Sequence, residues 1–304
     1  MSGMLGSSTA FRALLAQVGR FARTNHPILI LGAPGTGKTE LARFIHRQSG
    51  RTGRMVRFPL TSVPDELRHA ELFGHAKGAF TGADHKRDGA VEDAHGGTLF
   101  LDELGVATPG VQASLLTVLD DASVRRIGET RYRPVDVRII AATNEDLDQQ
   151  VLAGGFRRDL LARFGFFRVL MPDLADRPED IMPLFRHFLR LEQRAQGEPS
   201  DPEVTDQVGA VLLAAPWADN VRELANVARY AMVCRDPGQA IDVHHLPPEF
   251  LATIGAAVAG PELSSRIPKA LELTGGNCTK AAAMLGVSRS TFYRHLPAAD
   301  QKPA

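Results

Sequence analysis

The sequence predicts an α/β fold with a mostly parallel, five-stranded sheet, followed by a small helical domain and an all-α C-terminal end. Three observations predict it. Short apolar runs alternate with helical segments over residues 1–172, as in parallel sheets covered by helices on both faces. Residues 178–250, within a helical domain predicted at 173–250, have helical periodicity and no convincing strand. Residues 262–304 have the spacing of a helix-turn-helix.

The elements of the α/β part follow in chain order. Ser8 or Thr9 can cap an amphipathic helix, a second helix ends near Gln48, and Pro109 opens a third. Strands are predicted at 28–31, 55–58, 98–101, 137–142 and 166–170, and a hairpin at 124–136. Residues 251–261 predict a linker, because they are small, interrupted by Gly and Pro, and uncharged.

Composition and charge exclude several classes of protein. The chain has 304 residues, 44% of them hydrophobic, and a formal net charge of zero, which suits two or three soluble domains. There is no apolar run long enough to span a membrane and no signal-peptide pattern at the N-terminus. Cys234 and Cys278 lie too far apart for a zinc site, so we expect a reduced, cytoplasmic protein. Residues 261–304 carry six Lys and Arg against three Asp and Glu, a basic excess that favours nucleic-acid binding.

The segment GAPGTGKT predicts a site for the phosphates of ATP. It follows an apolar strand, precedes a helix, and matches the phosphate-loop pattern in full. Glycines let backbone N–H groups close on phosphate oxygens, and the helix N-terminus adds positive potential. We expect Lys38 to reach the β- and γ-phosphates and the Thr39 hydroxyl to bind Mg²⁺. The expected nucleotide contacts are Gly32, Ala33, Pro34, Gly35, Thr36, Gly37, Lys38 and Thr39.

Polar residues at the ends of two further strands complete this predicted site. Asp102 and Glu103 follow the apolar run 98–101, at the sheet edge where open α/β sheets bind ligands. Asp102 would hold Mg²⁺ through water, and Glu103 would polarise the attacking water. Asn144 ends another strand and can position that water, although an Asn there can also cap the next helix.

These motifs together resemble those of AAA+ ATPases, and ELFGHAKGAFTGA (71–83) narrows the resemblance. That string resembles the signature of bacterial enhancer-binding proteins, which activate RNA polymerase carrying sigma-54. The resemblance extends over residues 5–250 for the ATPase and 262–296 for the DNA-binding end. It implies that the GAFTGA loop contacts the sigma factor through Gly78, Ala79, Phe80, Thr81, Gly82 and Ala83. Glycines and polar flanks favour an exposed loop, the alternative being that Phe80 packs into the core.

The resemblance also assigns roles to three arginines. FRRDLLARF resembles the arginine-finger segment, which implies that Arg157 and Arg163 reach the γ-phosphate held by a neighbouring subunit. Their spacing would equally suit a solvated helix face. WADNVRELANV (217–227) resembles the family's lid motif, which implies that residues 173–250 form the lid. In that motif Arg222 would sense the nucleotide, and Trp217 would belong to the core.

At one position the sequence departs from the family pattern. The family has an Asn near the end of the second strand, which hydrogen-bonds the catalytic Glu and couples it to the target. Pro59 stands at that place and has no side-chain amide. Either Thr61 or Ser62 substitutes for it, or the coupling is absent. Thr39 also replaces the family's usual acid, but Thr is the ordinary phosphate-loop residue and suits Mg²⁺.

The C-terminal end resembles the Fis-type DNA-binding domains of the same proteins. Residues 270–296 have the pattern of three short helices with turns at a Gly-Gly pair and at Gly286. A small helical domain with a basic face is the alternative. The resemblance implies a dimer on an inverted repeat, with DNA contacts from Lys280, Ser288, Arg289, Ser290, Thr291, Tyr293 and Arg294.

The resemblance as a whole implies an activator that binds enhancer DNA and uses ATP and Mg²⁺ to remodel the closed complex of sigma-54 RNA polymerase. Subunits would form a ring, a hexamer being usual, and the loop would grip the sigma factor when ATP is bound. The ATPase begins almost at Met1, so we expect control by abundance or by a regulatory protein in trans rather than by a fused sensor. Two alternatives remain at this point: a DNA-binding regulator whose ATPase domain serves only nucleotide-dependent oligomerisation, and another kind of AAA+ motor.

Overall fold

The computed structural model describes residues 4–80, 82–196 and 201–258, together with Ile267 and Leu271; for residues 255–258 it describes the backbone alone. The chain divides into two compact units, Met1–Arg177 and Pro178–Ala304. Thr81 and the DNA contacts predicted between residues 280 and 294 lie outside the described residues.

The first unit is built on a five-stranded parallel sheet. Its strands, with those of a small antiparallel hairpin, are β1 (Ile28–Leu31), β2 (Met55–Pro59), β3 (Thr98–Asp102), β4 (Ser123–Val124), β5 (Arg133–Pro134), β6 (Arg138–Thr143) and β7 (Arg168–Leu170). The order across the sheet is β2-β3-β6-β1-β7, and β4 pairs with β5. All five strands run parallel, so their carboxyl ends meet at one edge, as the sequence predicts.

Helices cover both faces of this sheet. They are α1 (Thr9–Ala22), α2 (Lys38–Gln48), α3 (Asp65–Phe73), α4 (Ala90–Asp93), α5 (Pro109–Asp121), α6 (Leu147–Leu152) and α7 (Arg158–Phe164). Alternate strand residues enter two separate cores, one shared with α1 and α2 and the other with α3, α5 and α7. The Ser8 hydroxyl accepts a hydrogen bond from the Phe11 N–H, so Ser8 caps α1.

Strand β7 is shorter than the predicted 166–170. Gly165 adopts a positive φ of 49° after α7, and the Phe167 N–H then donates to the Phe164 carbonyl. This turn uses residues 166 and 167, and Phe166 is 97% exposed. The apolar pair at 166–167 therefore belongs to a turn, and the strand begins at Arg168.

The second unit is helical over its described residues, as predicted. Its helices are α8 (Pro178–Gln196), α9 (Asp206–Leu213), α10 (Asn220–Cys234) and α11 (Pro248–Val258). Trp217 is 2% exposed and its indole N–H donates to the Leu212 carbonyl, so it lies in the core of this unit. No helix in the described part of the chain is long and apolar enough to cross a membrane.

Helix α11 corrects one expectation. The sequence predicts a linker at 251–261, yet the backbone is helical as far as Val258. Pro248 stands at the first helical position, where it is favoured, and the following residues are rich in Ala, the strongest helix former. Small size and absence of charge therefore did not distinguish a linker from a helix, and 259–261 lie outside the described residues.

Candidate active site

The phosphate loop connects β1 to α2 and depends on its glycines. Gly32, Gly35 and Gly37 have φ values of 151°, 75° and 104°, which side chains rarely adopt. A Cβ on Gly32 would also lie 2.9 Å from the Cβ of Met171. Gly37 precedes α2 and provides no side-chain cap, so the first N–H groups of the helix stay available to an anion.

Lys38 is held directly against this loop. Its side chain is 7% exposed, and Nζ donates to the carbonyls of Gly32 at 2.8 Å and Ala33 at 3.2 Å. The same Nζ lies 3.8 Å from Oε1 of Glu103. The predicted phosphate-binding cation and the predicted catalytic carboxylate are therefore adjacent.

The two acidic residues occupy the carboxyl end of β3. Asp102 is the last residue of the strand and is 8% exposed. Glu103 follows with φ 60° and ψ 56°, in the left-handed region that is costly for a residue with a Cβ. Asp102 lies beside Ala142 of β6, which brings the end of that strand to Glu103.

Asn144 contacts Glu103 through its backbone. The Asn144 N–H donates to Oε2 of Glu103 at 3.3 Å. The alternative in which Asn144 caps the next helix is wrong, because Asp146 caps α6 by accepting from the Gln149 N–H at 3.1 Å. Glu103 is thus positioned by a backbone donor on one oxygen and by the Lys38 ammonium on the other.

Arg57 is a residue of this site that the sequence analysis did not identify. Its Nη2 and Nε donate to Oδ2 of Asp102 at 2.7 and 3.2 Å. Pro59 lies in register with Asp102 on the neighbouring strand, whereas Thr61 and Ser62 are exposed in a short 3₁₀ turn. Residues two apart on a strand share one face, so Arg57 and Pro59 lie on the same face of β2, but only the register with β3 brings Arg57 to Asp102.

The two candidate finger arginines lie on the surface of the first unit, each paired with an aspartate. Arg157 precedes α7 and donates to both carboxylate oxygens of Asp159, at 3.0 and 2.7 Å. Arg163, at the end of α7, forms the same type of pair with Asp120. The hydrogen bonds from Arg157 lower the pKa of Asp159 to about 2, and those from Arg163 lower the pKa of Asp120. Both guanidinium groups are nearly half exposed.

Arg222, the remaining arginine of the predicted site, is exposed in the first turn of α10 in the second unit.

The glycine-flanked loop leaves Phe80 partly in solvent. The Gly78 N–H donates to the Ala83 carbonyl at 2.8 Å, and the Ala83 N–H donates to the Phe80 carbonyl at 3.0 Å, which closes the loop. Gly78 and Gly82 have φ values of 77° and 96°. Phe80 is 38% exposed and packs edge-on against the His75 ring, with centroids 5.0 Å apart. The alternative in which Phe80 packs into the core is therefore wrong.

The stem of this loop is fixed on two sides. His75 and Arg87 exchange two backbone hydrogen bonds of 3.0 Å. The Ala76 N–H donates to the Ile127 carbonyl at 2.9 Å, and the Ile127 N–H donates back to the Gly74 carbonyl at 2.9 Å. The loop is thus attached to the segment that joins β4 to β5.

A buried ion-pair cluster lies at the same stem. Arg126 is 3% exposed and donates through Nε and Nη2 to the two carboxylate oxygens of Glu92, both at 2.6 Å. Its Nη2 also lies 2.5 Å from Oδ1 of Asp88. Burial raises the pKa of Glu92 and lowers that of Arg126. Removing one partner from such a buried pair is strongly destabilising, so the cluster holds the stem in place.

Three family models match the chain in succession. The sigma-54 interaction domain matches residues 4–170, the AAA+ ATPase lid domain matches residues 175–259, and the bacterial regulatory protein, Fis family, matches residues 264–297. Together they cover both described units and the C-terminal end.

Curated proteins and solved structures agree with these matches. The transcriptional regulatory protein ZraR of Klebsiella oxytoca is 40% identical over 97% of this chain and 68% of its own length. The DNA-binding transcriptional regulator NtrC of Salmonella typhimurium is 37% identical over 96% of this chain and 69% of its own. The crystal structure of NtrX from Brucella abortus in complex with ATP is similar with a TM-score of 0.73 and 32% identity, over 97% of this chain and 69% of that one.

Proposed function

Because the chain belongs to the sigma-54-dependent enhancer-binding regulators, with their AAA+ ATPase domain and Fis-type DNA-binding domain, we propose that it converts ATP hydrolysis into activation of transcription. In this proposal a ring of subunits, a hexamer as is usual in the family, binds upstream DNA and remodels the closed complex of sigma-54 RNA polymerase. The observation that carries the proposal is Phe80, partly exposed on a loop whose stem is anchored to the ATPase unit.

The phosphate loop and the acidic strand end fit ATP and Mg²⁺. Lys38, the glycine backbone and the open N-terminus of α2 suit the phosphates. Thr39 and Asp102 offer the oxygen donors that Mg²⁺ prefers. Bound Mg²⁺ would neutralise phosphate charge. Glu103, oriented by Asn144, would accept a proton from the attacking water while Lys38 turns from the carbonyls to the phosphates.

The proposed ring supplies the remaining cations. Arg157 and Arg163 would enter the site of the neighbouring subunit and stabilise the charge that develops on the γ-phosphoryl group. Their nearly half-exposed side chains support this, since fingers have to be accessible from outside their own subunit. Arg222 of the lid would respond to the bound nucleotide.

The loop would then report the nucleotide state to the polymerase. With ATP bound, the segment Gly78–Ala83 would contact the sigma factor chiefly through Phe80 and Thr81, and hydrolysis would release it. The domains proposed are the ATPase core (1–172), the lid (173–250), a short connection and the helix-turn-helix (262–304). A dimer of that last domain would bind an inverted repeat in the enhancer.

Transcription from a purified system tests this proposal. The template carries a sigma-54 promoter with an upstream binding site for this protein, and the reaction contains sigma-54 polymerase and ATP. We expect transcripts only with the intact protein and hydrolysable ATP, and none with Lys38→Ala. A promoter that uses another sigma factor is the control. DNA binding and ATP-dependent assembly without transcripts would instead support a regulator that uses its ATPase domain only to oligomerise.

A further inference from the structure

We propose that Arg57 is a positioning residue that links strand β2 to the acidic strand end through the metal-binding carboxylate Asp102, on the strand where Pro59 offers no amide to the catalytic Glu103. Arg57 holds Asp102 in an ion pair. Asp102 and Thr39 would hold Mg²⁺ beside the bound nucleotide, and the charge of the metal would compete for Asp102 and so release Arg57. The inference rests on the proposed function, because it assigns Asp102 to Mg²⁺ and takes the 78–83 loop as the segment that contacts the sigma factor in response to the nucleotide.

The contact between the two side chains is specific. Nη2 and Nε of Arg57 both donate to Oδ2 of Asp102, and neither donates to Oδ1. The carboxylate is 11% exposed and the arginine side chain 50% exposed. A partly buried acid is therefore neutralised by a cation that reaches it from solvent, which allows the cation to leave without opening the core.

The position of Arg57 on its strand brings its side chain to Asp102. Among the residues of Met55–Pro59, Arg57 alone has a side-chain hydrogen-bond donor. Pro59 stands opposite Asp102, and Arg57 stands opposite Phe100, two positions earlier on the same face. Pro59 adjoins Asp102 but has no side-chain donor for it. The long Arg57 side chain therefore reaches across two residues to hydrogen-bond the Asp102 carboxylate.

Charge explains why the pair would break. A carboxylate that binds hydrated Mg²⁺ gives up part of its interaction with a guanidinium group, and the two cations repel each other. The entering phosphates add negative charge that can receive Arg57. Arg57 and Thr39 line the same cavity of about 210 Å³, together with Arg43, His46 and Arg47.

The chain connects Arg57 to the loop over a short distance. Strand β2 continues through the turn Leu60–Ser62 into α3, and α3 ends at Phe73, directly before Gly74, where the loop stem starts. Arg68 of α3, buried at 6% exposure, donates to the Val106 carbonyl at 2.8 Å. Helix α3 is thus hydrogen-bonded to the turn that directly follows the acidic pair. A displacement of β2 would therefore reach the loop stem through one short turn and one helix.

A Mg²⁺ titration tests the release step without relying on turnover. Full-length protein and a fluorescent ADP analogue are held at fixed concentration while Mg²⁺ is varied. Arg57→Ala lacks the guanidinium group that competes with Mg²⁺ for Asp102. Its Mg²⁺-dependent binding of the analogue should therefore be half-maximal at about two- to fivefold less Mg²⁺, as expected for a partly exposed ion pair. Arg57→Lys, which keeps the charge but loses the two-donor geometry, should lie between. The matched control is Arg54→Ala, since Arg54 is a nearby exposed arginine paired with Asp93 away from the site, and it should not change.

Binding of sigma-54 tests the link to the loop on the same proteins. Intact protein and Arg54→Ala should bind sigma-54 only with ADP–aluminium fluoride, whereas Arg57→Ala should lose this dependence on nucleotide. An unchanged Mg²⁺ requirement in Arg57→Ala would overturn the inference, even if the intact protein activates transcription. If the intact protein bound sigma-54 in no nucleotide state, the proposed function would fail, and the titration would still decide whether Arg57 holds Asp102.

Discussion

Replacing Phe80 with Ala separates a contact loop from a structural one. Phe80 packs on His75 but remains 38% exposed, so it contributes to stability less than a core aromatic does. If the loop serves the sigma factor, the substitution should leave the ATPase working and abolish activation. A matched control is Phe73→Ala, because Phe73 ends the helix that leads into the loop and is 1% exposed.

The expected cost of each substitution follows from burial. A fully buried Phe side chain is worth about 1.5–3 kcal/mol relative to an exposed one, so Phe80, roughly 60% buried, should contribute about 1–2 kcal/mol. The core substitution Phe73→Ala should cost about 3–5 kcal/mol, since it also leaves a cavity. With about 2–4 °C of melting temperature per kcal/mol for a domain of this size, Phe80→Ala should lower Tm by about 2–8 °C and Phe73→Ala by about 6–20 °C.

Three measurements on one preparation distinguish a contact loop from a structural one. Thermal melting gives the stability, steady-state hydrolysis gives the ATPase, and binding of sigma-54 in the presence of ADP–aluminium fluoride gives the contact. Phe80→Ala should keep near-normal hydrolysis while binding and open-complex formation disappear. The reasoning is refuted if Phe80→Ala melts as low as Phe73→Ala and loses hydrolysis in parallel, or if a stable Phe80→Ala protein still activates transcription.

Three other predictions concern the active site and its surroundings. Glu103→Gln should bind ATP yet hydrolyse it about 10²–10⁴-fold more slowly, because it keeps the shape but cannot take the proton; near-normal turnover would remove Glu103 from this role. Arg157→Ala and Arg163→Ala should each lose hydrolysis and regain part of it when mixed with Lys38→Ala subunits, and no rescue at any ratio would argue against action in trans. Burial lowers the pKa of His46, so the native state disfavours its protonation, and stability should fall as pH drops below about 6.5. His46→Gln should flatten this part of a stability-against-pH curve measured by urea unfolding, and an unchanged slope would contradict the argument.

Local sequence patterns were sufficient to predict most of the sheet. Four of the five apolar runs became strands within one residue of their predicted bounds, because buried parallel strands require continuous apolar sequence. The exception, the shortened β7, depended on a turn at Gly165 that periodicity does not report. Helix α11 was missed for a related reason, since composition alone does not separate an Ala-rich helix from a linker.

Sequence motifs predicted only part of the candidate site. Motifs identified Lys38, Asp102 and Glu103 because phosphate binding requires a Lys at the start of the helix after the loop, and metal binding and hydrolysis require acids at a strand end. They did not predict that Asn144 would orient Glu103 through its backbone N–H, since any residue has that donor. They also missed Arg57, because its role depends on the register between β2 and β3, which only the assembled sheet defines.

The backbone of Glu103 has a consequence for how this protein would change under selection. At φ 60° and ψ 56° a residue with a Cβ costs roughly 1–2 kcal/mol more than glycine, so the chain sacrifices stability to hold a carboxylate there. A population selected only for heat resistance, with hydrolysis no longer required, should replace Glu103 by Gly or Asn early. In any lineage, the same replacement of Glu103 would indicate that the protein had lost hydrolysis and kept only its assembly.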